Sequence, residues 1–202
     1  MTCCFGDTLI LATHNEGKVE EMRALLASRG IAVKSAADFG VEAPEETETT
    51  FVGNARLKAH HVASQTGLPA LADDSGMEVE ALGGAPGVFT ADWAETSAGR
   101  DFLHAMTKTW DLLKATAGGP PYRARFCCTL VLAFPDGRDE VFEAHVDGDL
   151  VWPLRGELGH GYDPMFVPEG QSRTFAEMSA AEKNAISHRA RAFEQFAAKC
   201  FT

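Results

Sequence analysis

Residues 9–22 read LILATHNEGKVEEM and combine a short apolar run, a polar turn and the start of a helical pattern. The run from Leu9 to Ala12 predicts a buried strand, and the apolar residues from Val19 onward follow helical spacing. A helix N-terminus carries partial positive charge and N–H groups without intrahelical partners. The order strand, turn and helix therefore predicts a binding place for a phosphate group.

The turn lacks two parts of the Walker motif GxxxxGK[ST], because Ala12 stands at its first glycine and Val19 at its serine or threonine. Thr13 and Glu16 also fit an S/T-x-x-E capping box, so a helix start without a ligand explains the same residues. Lys18 favours a ligand, since a cation in the first helical turn is disfavoured by about 0.3 to 1 kcal/mol unless an anion lies nearby. This segment alone leaves both interpretations open.

The chain has 202 residues, 45% of them hydrophobic, which is enough for one compact domain or two closely joined lobes. Its formal net charge of −11 makes nucleic acid polymers and anionic membrane surfaces poor candidates for partners. The odd number of cysteines, without zinc-site spacing, and the absence of a signal-peptide pattern predict a cytoplasmic protein. No apolar run is long enough to span a bilayer.

Strand-like and helix-like segments alternate without internal repeats or a linker-like break, which predicts one α/β domain over residues 1–202. We predict helices near residues 17–29, 50–66, 97–115 and 179–199, and strands near 8–13, 31–36, 69–73, 123–134 and 139–148. The segments ARFCCTLVLAF and PDGRDEVFEAHVDG predict a hairpin that turns at Asp136 and Gly137. A hairpin within an alternating pattern indicates a mixed sheet.

The predicted helix TFVGNARLKAHHVASQTG, residues 50–67, contains a lysine in its apolar stripe. Phe51, Ala55 and Val62 lie within about 40° of one another around the axis, and Lys58 falls among them. Such a lysine either extends its ammonium back to water or points it into a cleft. The preceding segment VEAPEETETT is acidic, a pattern usual for a solvated loop, and contains Glu42, Glu45, Glu46 and Glu48.

The segment PALADDSGMEVEALGGAPG, residues 69–87, places two adjacent carboxylates at the end of a strand-like run. Asp73 and Asp74 would point to opposite faces of the sheet. Carboxylates at a strand end lie where α/β sheets bind ligands, and Mg²⁺ takes one or two carboxylates together with phosphate oxygens and waters. The pair therefore predicts a magnesium site, with a self-capped Asp-Asp-Ser-Gly turn as the alternative. The glycines of GGAPG predict a tight loop.

Five segments carry a family resemblance in this order: THNEGK, EET before an N-x-x-L-K helix, ADDSG with GGAPG, GYDP, and EKNAISHR. Through them the sequence resembles, from about Leu9 to the final helix, the Ham1-like (RdgB/ITPase) family of non-canonical purine nucleoside triphosphate pyrophosphatases. The resemblance implies an elongated two-lobed α/β fold, usually homodimeric, whose central mixed β-sheet floors the active-site cleft. It implies Mg²⁺-dependent hydrolysis of ITP, dITP or XTP to the monophosphate and pyrophosphate, which cleanses the nucleotide pool.

The resemblance also implies roles for individual residues. It places the metal on Glu46 and Asp74, and it makes Asp74 the proton acceptor. It assigns phosphate contacts to Thr13, His14, Asn15, Glu16, Gly17, Lys18 and Lys58. It assigns further substrate contacts to Ser75, His160, Gly161, Tyr162, Asp163, Lys183, His188 and Arg189.

These roles explain why the turn lacks the serine or threonine of the Walker motif, because carboxylates would hold the metal in its place. A triphosphate tail of about three to four negative charges, entering a chain at −11, needs local neutralisation by Lys18, Lys58, a helix N-terminus and Mg²⁺. Water activated by Asp74 or by the metal would attack the α-phosphorus. Donors aimed at a 6-oxo group would reject a 6-amino base by about 10⁴ in a dry site.

Two positions depart from the family pattern. His160 stands where many members have Phe, although an imidazole can also stack on a purine, and Asp92, which receives no role, stands where many have Arg. Three other function classes remain open. A noncatalytic nucleotide sensor would not need two metal carboxylates, a phosphomonoesterase would release orthophosphate, and a partner-binding domain would have no reason to place Lys58 in an apolar stripe.

The C-terminal segment SAAEKNAISHRARAFEQFAAKC opens with a capping box at residues 179–182. In an unbroken helix Lys183 and His188 would lie about 140° apart around the axis and could not serve one pocket. Because the resemblance assigns both to the substrate, we predict a break at Ile186 or Ser187. Ser187 would cap a new helix, Ile186 would anchor in the core, and the side chains of Lys183 and His188 would face the cleft. Local sequence alone favours a continuous helix with a solvated His188, since no Gly or Pro interrupts it.

Overall fold

A computed structural model describes residues 4–13, 19, 22–23, 26, 31–116 and 118–201. The strands are β1 (Thr8–Leu11), β2 (Ala32–Ser35), β3 (Ala70–Val79), β4 (Pro86–Gly87), β5 (Glu95–Thr96), β6 (Gly99–Arg100), β7 (Tyr122–Ala133), β8 (Asp139–Leu150) and β9 (Phe166–Pro168). The α-helices are α1 (Phe51–Thr66), α2 (Phe102–Lys114), α3 (Ala180–Asn184) and α4 (His188–Cys200). Within these ranges, every helix is too short or too polar to cross a membrane.

The main sheet is mixed, as predicted, and has the order β2-β1-β3-β7-β8-β9, with β4 beside β3. Strand β1 runs parallel to both β2 and β3. The pairs β3–β4 and β8–β9 are antiparallel. Strand β3 is buried along nearly its whole length, which is typical of a strand with neighbours on both sides and covered faces. The fold class predicted from the sequence, α/β with a central mixed sheet, is confirmed.

The chain divides into two compact units, Met1–Asp74 with Thr129–Glu143 and Ala192–Thr202, and Ser75–Cys128 with Ala144–Arg191. The core of the first unit is rich in small side chains and includes Ile10, Ala55, Ala59, Val62, Ala63 and Val131. Small residues on α1 allow its backbone to approach the sheet closely. The core of the second unit is rich in aromatic and sulfur-containing side chains and includes Met77, Phe126, Tyr162, Met165, Phe166 and Phe175.

The predicted helix at residues 50–66 is confirmed, with a Thr50 side-chain cap at its start and Gly67 in the left-handed region at its end. The helix predicted from residue 97 begins instead at Phe102. The Asp101 carboxylate caps its first N–H groups, and the residues before it pair as β5 and β6. Of the helix predicted near 17–29, residues 19, 22, 23 and 26 are described as helical, and the remaining positions lie outside the described residues.

The strands predicted near 8–13, 31–36, 123–134 and 139–148 are confirmed with small shifts at their ends. Strands β7 and β8 form the predicted hairpin, in which the Phe134 N–H donates to the Arg138 carbonyl oxygen. The prediction that a strand ends at the aspartate pair is wrong, because β3 continues to Val79. Its second half pairs with β4 through Met77–Gly87 and Glu78–Pro86. The pairing also excludes the alternative of an Asp-Asp-Ser-Gly turn.

The predicted break in the last helical segment is confirmed, since α3 ends at Asn184 and α4 begins at His188. The Ser187 Oγ accepts a hydrogen bond from the Ala190 N–H at 3.2 Å, which makes Ser187 the N-cap of α4. Ile186 packs against the core of the second unit. The cap and this buried contact offset the helical hydrogen bonds lost at the break, so the continuous helix favoured by local sequence is wrong.

Ser187→Ala should lower the free energy of unfolding by about 1 kcal/mol, because α4 loses the acceptor for the partly buried Ala190 N–H group. The matched control is Ser64→Ala, which removes an exposed hydroxyl within α1 and should change stability by less than about 0.5 kcal/mol. Urea denaturation of both variants measures the two values. Equal losses in the two variants would contradict a capping role for Ser187.

Candidate active site

Lys58 in α1 holds two carboxylates, and together Glu46, Lys58 and Asp74 form what we call the carboxylate–lysine cluster. Lys58 Nζ donates to Glu46 Oε1 at 2.9 Å and to Asp74 Oδ1 at 3.1 Å. The side chains of Lys58 and Asp74 are only 12% and 10% exposed. The ammonium is therefore paired inside the protein, and the alternative in which it extends to water is wrong.

The sheet register relates this cluster to β1, the strand that precedes the predicted phosphate-binding turn. Strand β1 stops at Leu11, opposite Leu71 of the parallel strand β3, and β3 continues from there to Asp73 and Asp74. The aspartates therefore lie just beyond the carboxyl end of β1, where α/β sheets bind ligands. Thr13 is the last described residue before the turn, and the predicted contacts His14, Asn15, Glu16, Gly17 and Lys18 lie outside the described residues.

The aspartate and the lysine of the cluster have shifted pKa values. Burial raises the pKa of Asp74 to about 6; the Lys58 charge opposes this rise, and the Glu46 and Asp73 charges reinforce it. Burial by itself would lower the pKa of Lys58, but the charges of Asp74, Asp73 and Glu46 outweigh burial and raise it. Lys58 therefore stays cationic, while Asp74 titrates near neutral pH, the range suited to a general base.

The cluster has the chemistry of a magnesium site. Asp74 Oδ2 is buried and accepts no hydrogen bond from any residue in the described ranges. Two carboxylates suffice for Mg²⁺, because phosphate oxygens and waters complete its octahedral coordination. Within the same ranges, no group of three or more His, Cys, Asp or Glu side chains is arranged to hold a metal by itself. The residues present thus fit a cation that the substrate helps to bind.

A second group of predicted site residues surrounds Asp163 in the second unit. The Asp163 carboxylate is buried and accepts hydrogen bonds from Lys183 Nζ and from the His160 N–H, the latter at 2.9 Å. Gly159 has φ +76°, and a Cβ at that position would collide with the Asp163 carboxylate. The loop therefore closes tightly around Asp163, which joins it to Lys183 on α3.

The break between α3 and α4 brings Lys183 and His188 to one aromatic cluster. The buried His188 ring stacks on Phe126, with ring centroids 5.1 Å apart and an interplanar angle of 13°. Lys183 Nζ lies 5.4 Å from the Phe175 ring centroid, and Phe126 packs against Phe175. Arg189, next along α4, is also buried. The alternative with His188 on a solvated face is therefore wrong.

The other predicted contacts have different environments. Tyr162 is 1% exposed, and its hydroxyl donates to the Thr90 carbonyl oxygen at 3.4 Å. Burial raises the pKa of Tyr162 to about 12. Its ring belongs to the core, so a ligand contact at this position would have to come from the backbone. Ser75 is half-buried on β3, the His160 side chain is exposed, and Gly161 has φ +68°.

Sequence reasoning missed Phe126 and Phe175, which contact His188 and Lys183. The alternation of burial along β7, with Tyr122, Ala124 and Phe126 facing inward, identifies Phe126 as a core residue. Its stacking partner on α4 is distant in the chain. The alternating pattern therefore predicts that Phe126 is buried and does not predict what it contacts.

Comparisons with known proteins point to one family. The Ham1 family model matches residues 9–199. A dITP/XTP pyrophosphatase of Ruegeria pomeroyi is 63% identical over 202 residues, covering 100% of this chain and 99% of that protein. A dITP/XTP pyrophosphatase of Rhodospirillum centenum is 52% identical over 196 residues, covering 97% and 96%. The solved structure of a HAM1 protein from Coxiella burnetii has a TM-score of 0.89 at 38% identity, covering 95% and 97%.

The raised pKa of Asp74 predicts a pH-dependent difference between the natural protein and Asp74→Asn when both are free of metal. Folded Asp74 keeps its proton up to about pH 6, whereas the unfolded chain releases it near 3.8, so this stabilisation is lost as pH rises through that window. Relative to the natural protein, Asp74→Asn should gain up to about 3 kcal/mol between those pH values.

Urea denaturation in EDTA at a series of pH values measures this difference. The control is Asp136→Asn, because a hydrogen bond from Arg138 lowers the pKa of exposed Asp136. That variant should lose stability relative to the natural protein as pH rises, the opposite sign. A stability difference for Asp74→Asn that does not vary with pH would contradict the burial of an ionisable Asp74.

Proposed function

The chain belongs to the Ham1 family, and from this premise we propose that it is a pyrophosphatase that hydrolyses dITP, ITP and XTP to the monophosphate and pyrophosphate. Its similarity to dITP/XTP pyrophosphatases over nearly their whole length supports this substrate class. The observation that carries the proposal is the partly buried ammonium of Lys58, which lies between Glu46 and Asp74. We propose that the ammonium binds phosphate and that the carboxylates bind a metal, a combination that assists the hydrolysis of an acid anhydride.

At the phosphate end, we propose that the turn Thr13–Lys18 and Lys58 contact the triphosphate. The raised pKa of Lys58 keeps its ammonium charged when a polyanion approaches. Val19, Met22 and Leu26, which follow the turn, are buried helical residues, and this supports a helix start directed at the phosphates. Such local positive charge is needed in a chain whose formal net charge is −11.

We propose that Glu46 and Asp74 hold Mg²⁺. When bound there, the ion would neutralise phosphate oxygens and lower the pKa of the attacking water. Its fit rests on the oxygen Asp74 Oδ2, which is buried and accepts no hydrogen bond from the part of the chain that the structure describes. It rests also on the excess of carboxylates over ammonium groups in the carboxylate–lysine cluster.

Asp74 is the residue that we propose accepts the proton of the attacking water. Lys58 donates to Asp74 Oδ1, so Oδ2 is the oxygen that faces either the metal or the proton of the attacking water. In the protein without metal, burial raises the pKa of Asp74 to about 6, so this carboxylate is more basic than an ordinary aspartate and still ionised at neutral pH. The charge of Lys58 would then stabilise the departing pyrophosphate. Asp73, the preceding residue of β3, whose charge also acts on Lys58 and Asp74, is the alternative base.

At the base end, we propose contacts from Ser75, His160, Gly161, Tyr162 (through its backbone), Asp163, Lys183, His188 and Arg189. The low exposure of His188 and Arg189 supports a dry site in which an unmatched donor is costly. A 6-oxo purine presents an acceptor to these donors, whereas a 6-amino purine presents more donors. That mismatch can reject the 6-amino base by about 10⁴.

We further propose that residues 1–202 form one catalytic domain that works as a cytoplasmic homodimer. Strands β3, β7 and β8 each contribute residues to both compact units, which supports a single domain. The cysteines in the described ranges, Cys4, Cys127, Cys128 and Cys200, form no disulfide with one another, which supports a reducing compartment. The dimer rests on the family resemblance, and light scattering of the purified chain tests it.

A panel of nucleoside triphosphates with Mg²⁺ tests the proposed reaction when pyrophosphate and orthophosphate are measured separately. The expected first product from dITP, ITP and XTP is pyrophosphate, with kcat/KM above that for ATP by about 10² or more. Omitting Mg²⁺ and adding EDTA should abolish the activity. Orthophosphate as the first product would contradict the proposal and favour a phosphatase.

Asp74→Asn should lower kcat by about 10² or more, the usual scale for the loss of a general base. The matched control is Asp73→Asn, which removes the neighbouring carboxylate of β3 and should have a smaller effect. Steady-state kinetics with dITP at saturating Mg²⁺ compares the two variants. If Asp73→Asn is the more damaged enzyme, the base is Asp73.

A further inference from the structure

Three phenylalanines form a cluster next to the two base-end residues Lys183 and His188. The ring centroids of Phe126 and Phe166 are 4.6 Å apart, those of Phe166 and Phe175 5.3 Å, and those of Phe126 and Phe175 5.9 Å. Their relative exposures are 7% for Phe126 and 0% for the other two. The cluster is therefore a closely packed part of the core with little freedom to rearrange.

Within this cluster, Phe126 is the residue that stacks on His188. The two rings are nearly parallel, with an interplanar angle of 13° and centroids 5.1 Å apart. A histidine side chain does not set its own ring plane, because the torsion between Cβ and an sp² ring carbon has a broad profile. A stacked neighbour in a buried setting supplies that constraint, since aromatic pairs favour offset stacking.

Phe166 provides a comparison within the same cluster. It is as deeply buried as any residue of the second unit, and its ring contacts are with Phe126 and Phe175. Phe126 thus combines two contributions, core packing and contact with His188. Both Phe126 and Phe166 contribute to core packing. Replacing each by the same residue therefore separates the contribution of core packing from that of the contact with His188.

We propose that Phe126 is a positioning residue for base selection, which fixes the plane of the His188 ring and so aims its hydrogen-bonding nitrogen at the purine. The inference rests on the proposed function and adds a residue that does not itself touch the base. In physical terms, selection between purine bases depends on the orientation of the His188 ring, and Phe126 on β7 holds that orientation.

The experiment compares Phe126→Leu, Phe126→Tyr and Phe166→Leu in the full-length protein. The first readout is the ratio of kcat/KM for dITP to that for dATP. Phe126→Leu should lower this ratio by about tenfold or more, because a loosened imidazole no longer distinguishes an acceptor from a donor. Phe126→Tyr keeps the aromatic ring and should restore the ratio. Phe166→Leu should destabilise the protein comparably and leave the ratio within about twofold.

The second readout is the ring-proton NMR shift of His188 in the protein without nucleotide, assigned by its absence in His188→Gln. Stacking on Phe126 should displace this resonance through the ring current. The displacement should disappear in Phe126→Leu and persist in Phe166→Leu and Phe126→Tyr. This measurement does not require turnover.

The inference is overturned if Phe126→Leu retains the dITP to dATP ratio, or if Phe166→Leu lowers the ratio as much as Phe126→Leu does. An unchanged His188 resonance in Phe126→Leu overturns it as well. If the proposed function is wrong, the natural protein releases no pyrophosphate from dITP or XTP. An active natural protein with no difference among the variants therefore refutes the positioning role alone.

Discussion

The structure of the first unit depends on one constraint, which is that the largely enclosed ammonium of Lys58, whose side chain is 12% exposed, must be paired there. Glu46 and Asp74 satisfy it at 2.9 and 3.1 Å. Removing these charges from water costs free energy that such pairing only partly returns, and a well-packed apolar substitute is often at least as stable. The cluster is therefore better explained by ligand binding than by stability.

Packing and ion pairs hold helix α1 in the position in which Lys58 meets Glu46 and Asp74. Ala55 and Ala59 are fully buried and let the helix lie close to the sheet. On another side of α1, Arg56 and His60 both bind the Asp139 carboxylate at the start of β8, with contacts of 3.0 and 2.9 Å. Burial acts to raise the pKa of Asp139, but these two partners outweigh it and lower that pKa. An ionised Asp139 thus fixes the two residues that flank Lys58 in sequence.

Hydrophobic periodicity predicted those helices and strands whose formation depends on residues close together in the sequence. Strands β1 and β2, helix α1 and the β7–β8 hairpin follow from apolar spacing and turn residues. The continuation of β3 past the aspartates could not be predicted locally, because it depends on pairing with β4. The break before His188 contradicts local helix propensity, because it depends on the packing of Ile186 against the core of the second unit. In the sequence, only the ordered family motifs indicated this break. The stacking of His188 on Phe126 joins distant parts of the chain and left no local signal.

The two groups of site residues differ in charge balance, and the difference matches the ligand parts proposed for them. Near Asp163, the Lys183 ammonium is already neutralised by a buried carboxylate, so the pair carries little net charge, which suits the uncharged purine proposed to bind there. Around Lys58, the carboxylates outnumber the ammonium groups, which leaves local negative charge in the described part of the site. A triphosphate alone would be repelled there, whereas a triphosphate carrying a divalent cation would be attracted. The charge balance of the described residues thus supports the proposal that metal and phosphate bind together.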